Sequence, residues 1–218
     1  MDSTMMSIPA NSAQPGLANP SPPVPTFGLG LPAVIQTVFG FIWLSWGFSA
    51  NAAFTDFSSN RALPAARWIT FYVAFLVLLG LAIQALRRGN ARMKALSVER
   101  AEFWARSGKK LKLVSMLEGS GCALVALLCV VFHRTDLLAA GISLVVGVHY
   151  LPLAKLMGFP AYYAAGIAII LCDALSIALL RSDAITFSAG VATGAILWVM
   201  AIYTLFLSRR VPPDVVIN

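Results

Sequence analysis

Leu137 to Met157 reads LLAAGISLVVGVHYLPLAKLM, a run whose single formally ionised side chain, Lys155, stands two residues from its end. At about 1.5 Å of rise per residue a helix of this length reaches about 31 Å, close to the roughly 30 Å hydrocarbon core of a bilayer. The apolar residues are continuous rather than alternating, which argues against a barrel strand. Five more stretches read the same way: Leu31 to Ala50, Arg67 to Leu86, Leu113 to Phe132, Ala161 to Leu180 and Ile185 to Leu207. The 218 residues are 59% hydrophobic and 11% charged; soluble domains are about half apolar and about a quarter charged. A soluble globule is excluded.

The expected fold is therefore an all-α integral membrane protein, an up-and-down bundle of six transmembrane helices over residues 31–208. A tail, residues 1–30, precedes it and a short tail, residues 209–218, follows. The first tail has no Lys or Arg and is rich in Pro, Ser, Asn and Ala. It lacks the basic start and apolar centre of a cleavable signal and is expected to be disordered, with Pro20 to Pro25 extended.

Charge gives the expected orientation. Arg87, Arg88, Arg92, Lys94, Arg100, Arg106, Lys109, Lys110 and Lys112 put nine of the sixteen basic residues into the connection 87–112, which should face the cytoplasm. Lys155, Arg209 and Arg210 then fall on the same side, Arg61, Arg67, Arg134 and Arg181 on the other, and both termini are cytoplasmic. The connection reads as a solvated basic loop, with an interfacial helix carrying Met93, Leu96, Phe103 and Trp104 as the alternative. Because the basic residues sit in loops and helix ends, the net charge of +7 reads as topology, not nucleic-acid binding. Trp43, Trp46 and Trp68 toward the outer side and Tyr162, Tyr163 and Tyr203 toward the inner side are expected as interfacial anchors.

Ionisable side chains inside a bilayer cost about 2.5–3.5 kcal/mol each on insertion scales. Glu118, His149 and Asp173 occupy spans three, four and five, roughly 8, 12 and 18 Å from the inner ends of their helices. They are expected to share a polar pocket, widened toward the inner boundary by Gln36 and Gln84. In span four Pro152 lacks an amide hydrogen and displaces the Val148 carbonyl, so a free acceptor is expected beside the His149 imidazole, as in the broken helices that line transporter cavities. The alternative is a His149 that satisfies one helix-to-helix hydrogen bond. Around Glu118 the sequence Ser115-Met-Leu-Glu118-Gly119-Ser120-Gly121 admits a close neighbour. Gly166, Asp173 and Ser176 return to one face of span five.

Three carboxylate and imidazole groups could relay a proton, bind a cation or ligate a metal. No HxxxH, HExxH or CxxC spacing supports the metal, and no cofactor is expected. Cys122, Cys129 and Cys172 lie within apolar runs and read as small hydrophobes.

The segment Gly147-Val148-His149-Tyr150-Leu151-Pro152-Leu153-Ala154, followed by Gly158, Tyr162, Tyr163 and Gly166, resembles a Gly-x-His-aromatic-x-Pro-Leu-Ala segment of uncharacterised bacterial multi-pass membrane proteins. The resemblance covers about a tenth of the chain and implies a bacterial inner-membrane location, with no activity attached. Membrane hydrolases that resemble alkaline ceramidases use several histidines, whereas this chain has His133 and His149 alone. Three readings stay open: proton-coupled movement of an ion or small solute, a metal-dependent hydrolase acting on lipid, and a membrane scaffold or accessory subunit. The bilayer, a solute or ion, and a second copy of the chain are the expected partners.

Overall fold

The computed structural model describes residues 30–52, 62–93 and 98–210. Residues 1–29, 53–61, 94–97 and 211–218, which include most of both tails and Lys94 and Leu96 of the basic connection, lie outside the described residues. Six α-helices follow in order: α1 (Gly30–Ala52), α2 (Ala62–Met93), α3 (Val98–Val131), α4 (Leu138–Met157), α5 (Ala161–Leu179) and α6 (Ser182–Arg210), with a 3₁₀ turn, Thr135–Leu137, leading into α4. All six are long and apolar enough to cross a membrane. Helices satisfy every backbone donor and acceptor within the segment, which a bilayer requires.

Segment 87–112, expected as a loop, is helical over its described length: α2 runs to Met93 and α3 begins at Val98. Leaving the hydrocarbon ends the need for apolar side chains but not the helix, and Ala, Glu and Arg in this stretch favour helix in water as well. Charge marks where the apolar run ends here, not where the helix ends.

Helices that follow one another in sequence and touch run antiparallel. Phe41 stacks on Phe75 and Phe48 meets Trp68 edge-on between α1 and α2. Tyr150 meets Tyr162 between α4 and α5. Helix α6 stands at the centre, packed on α1, α2, α4 and α5, while α3 packs on α4 and the turn before it. Helices α2 and α3, consecutive in sequence, share no substantial interface.

Helices α1 and α6 pack closely along small residues. A Cβ on Gly190 would stand 2.6 Å from the Gly47 Cα, and one on Gly194 2.5 Å from the Leu44 Cγ. Small residues four apart on α6 let the backbones touch, which substitutes for a hydrophobic driving force that lipid does not supply. Helices α4 and α5 repeat the device where Gly166 meets the Gly147 carbonyl.

The core lies among α1, α4, α5 and α6, where Trp43, Val146, Tyr150, Tyr162, Ile169 and Leu197 are buried together. Trp43 and Tyr162, expected as interfacial anchors, are 4% and 1% exposed and serve as core residues. Trp43 stacks on Trp46, and Tyr162 is held edge-on by Tyr150 and Phe159. Tyr163 and Tyr203 are exposed.

Both connections around α4 are closed by left-handed residues. His133, at φ 51°, follows α3, and the Arg134 amide donates to the Cys129 carbonyl while the His133 amide donates to that of Val130. This is the Schellman pattern, with His where Gly is usual. Gly158, at φ 60°, ends α4, and the Phe159 amide donates to the Ala154 carbonyl. Arg134 and Asp136 form a two-point ion pair at 3.1 Å across the turn between α3 and α4.

Candidate functional sites at two levels of the bundle

The register of α3 on α4 is set by Gly141 against Val125 and Gly121 against Val145. One turn further, the same antiparallel register brings His149 to Glu118, with Nε2 3.4 Å from Oε2. The His149 side chain is 10% exposed and that of Glu118 28%. Pairing relieves the cost of isolated charge in a medium of low dielectric, whether the proton sits on the imidazole or on the carboxylate. The other ring nitrogen, Nδ1, is buried and has no hydrogen-bond partner.

Beside this pair lies a group of polar side chains from four helices. The Tyr150 and Tyr162 side chains both face the Gln36 amide, and the Thr204 hydroxyl lies 3.4 Å from Gln36 Oε1. Thr204 also bonds back to the Met200 and Ala201 carbonyls at 2.8 Å. The Tyr150 ring stands edge-on to His149 with centroids 6.3 Å apart. Gln36, 3% exposed, thus lies within this polar group.

Asp173 does not join it. Its carboxyl is fully buried and neither oxygen has a hydrogen-bond partner of good geometry, though the Ser143 hydroxyl of α4 faces it. Ser143 is six residues from His149, about 9 Å along the helix, and Gly147 and Gly166 press their backbones together between the two levels. The expected trio therefore separates into a pair, Glu118 and His149, and a second level around Asp173.

At that second level Ser143 is hydrogen-bonded to Thr193 of α6. Ser176 lies 2.7 Å from Ser188 and donates to the Cys172 carbonyl at 2.7 Å. Gly166, Asp173 and Ser176 share the buried face of α5, as their spacing predicts. The hydroxyl of Thr186 reaches the Asp136 carbonyl at 3.5 Å, in the same parallel register of α4 on α6 that joins Ser143 to Thr193.

Two expected members of the pocket face away. Gln84 is exposed on α2, because that helix turns Leu78 and Ala82 inward toward α1 and α6. Pro152 is also exposed, as is Val148, so the backbone gap that proline leaves opens toward the surface and not toward Asp173. Helix α4 is continuous through it.

No family model, curated protein or solved structure matches this chain.

The site is accordingly read from its own chemistry. Among the described residues no three His, Cys, Asp or Glu side chains gather closely enough to hold a metal ion, and the three cysteines are free and half-buried. Sequence reasoning missed Tyr150, Tyr162, Ser143, Thr193 and Thr204. Tyrosines in spans resemble belt residues and hydroxyls in spans commonly bond to their own preceding turn, so each is ordinary alone. Only the helix register shows which of them converge.

Proposed function

We propose that this protein moves an ion or small solute across a membrane in a manner coupled to protonation, with Glu118 and His149 as the proton-handling pair. The observation that carries the reading is the 3.4 Å approach of His149 to Glu118 within helices of membrane-spanning length. Histidine changes charge in the physiological pH range, and a neighbouring carboxylate can take or release the same proton. Tyr150, Tyr162 and Gln36 extend the pair into the bundle. Intramembrane ionisable groups that face protein rather than lipid commonly mark ion or proton paths.

A bacterial inner membrane with both termini in the cytoplasm is the location we adopt. What supports it is the concentration of basic residues in 87–112 under the positive-inside rule, together with the resemblance around His149.

The test is proton flux into proteoliposomes that hold a pH-sensitive dye, under an imposed potential with sodium, potassium or chloride gradients. Flux above that of protein-free vesicles, dependent on pH and lost in His149→Ala, is expected. Flux that is independent of pH and survives His149→Ala contradicts the reading.

One observation favours a scaffold as a second reading. No side chain of α3 between 108 and 131 is buried, and Ser115, Gly119 and Ser120 lie exposed, with nothing within 4 Å of a Cβ placed on Gly119. A further helix, from a partner or a second copy, fits such a face. A lipid hydrolase would draw on Glu118, His149 and Asp173 together, and the Gly147–Gly166 contact stands between them.

A further inference from the structure

The carboxyl of Asp173 is the polar group that the proton-handling pair leaves unexplained. It lies at the meeting of α4, α5 and α6, fully buried, with neither oxygen in a hydrogen bond of good geometry. A carboxylate in that position without a counter-charge is among the most expensive groups a bundle can hold. A proton or a bound cation would each relieve that cost, and the surrounding donors bear on whether a cation can do so.

The surroundings specify which kind of cation. Ser143 of α4 faces the carboxyl and is hydrogen-bonded to Thr193 of α6; both residues are fully buried. Their donors are all oxygen, the preference of hard cations, with no thiolate or imidazole that would suit a transition metal. The charge is a single negative one. Glu118 of α3 and His149 of α4 are about two turns away along α4. Closer to Asp173, α5 offers the Cys172 thiol and the Ser176 hydroxyl, and α6 offers Ser188 and Thr193. A divalent ion would leave an uncompensated positive charge in the bundle, whereas a monovalent ion is neutralised.

We propose that Asp173, Ser143 and Thr193 form a binding site for a small monovalent cation, sodium, which occupies the site in competition with a proton. The inference deepens the transport reading by naming its coupling ion. It rests on that reading for what the cation does, and not for whether the cation binds.

The experiment is thermal unfolding of the detergent-purified full chain in sodium chloride against choline chloride at equal ionic strength, over a range of pH. Binding to the folded state raises the midpoint by mass action, so the midpoint should rise with sodium and saturate. Where protons compete, roughly tenfold more sodium should be needed for each unit by which pH falls. Ser143→Ala and Thr193→Ala should each weaken the sodium dependence, and Asp173→Asn should abolish it. The alanine variants keep the comparison decisive if Asp173→Asn does not fold.

A midpoint indifferent to sodium at every pH overturns the proposal, as does a sodium effect undiminished in the hydroxyl variants. Indifference to sodium in a protein whose proton flux still depends on His149 removes this site and leaves the transport reading standing. A saturating sodium effect that depends on Asp173, in a protein without flux, keeps the site and removes that reading.

Discussion

At the scale of residues, Glu118 and His149 differ from Asp173 in what compensates them. The first two lie 3.4 Å apart and each gives the other a polar partner, with Glu118 28% exposed. A double-mutant cycle with Glu118→Gln and His149→Ala should return a coupling energy of about 1 kcal/mol or more, read from denaturant or thermal unfolding. Additive single effects would show that the two side chains are neighbours without interacting. The pairing of this Glu with this His was legible in the sequence because a lone charge in a bilayer demands a partner and these two lie on consecutive helices joined by a short turn. The separation of Asp173 was not legible: depths of roughly 8, 12 and 18 Å along the helices are compatible with one pocket, and only the close contact of Gly147 with Gly166 divides them.

At the scale of elements, ends and contacts decide how firmly the helices are held. His133 occupies a left-handed position, φ 51°, that favours glycine over a side chain with a Cβ by about 1 kcal/mol. His133→Gly should raise the unfolding midpoint and His133→Val should lower it; the reverse order would mean that the His133 ring makes a compensating contact. Gly190 presents the opposite case. A methyl group there meets the Gly47 backbone at 2.6 Å, which cannot rotate away, so Gly190→Ala should destabilise by about 1–3 kcal/mol and its midpoint should fall accordingly. An unchanged midpoint would show that α1 and α6 separate without cost. The Gly190 and Gly194 pair follows the small-residue spacing that membrane helices use, and that signal was available in the sequence. The ends of α2 and α3 were not, since hydropathy stops at the membrane surface while helix propensity continues beyond it.

At the scale of the whole molecule, six spans were legible because bilayer thickness fixes how many apolar residues a helix must string together. Their arrangement around α6 was not, because apolar faces toward lipid and toward protein carry the same residue types. Short connections did give the antiparallel run from α3 to α6. They gave no account of α1 packing on α6, at opposite ends of the chain, nor of α2 and α3 standing apart. Two polar levels follow from this arrangement: Glu118 and His149 with Gln36 and the two tyrosines at one, and Asp173 with Ser143 and Thr193 at the other, divided by the contact of Gly147 with Gly166. Cross-linking reports on this division most directly. In a background with Cys122, Cys129 and Cys172 replaced by Ala, Glu118→Cys with His149→Cys should be joined by a short bifunctional thiol reagent, and His149→Cys with Asp173→Cys should not. Efficient joining of the second pair, or failure of the first, would contradict the two-level account.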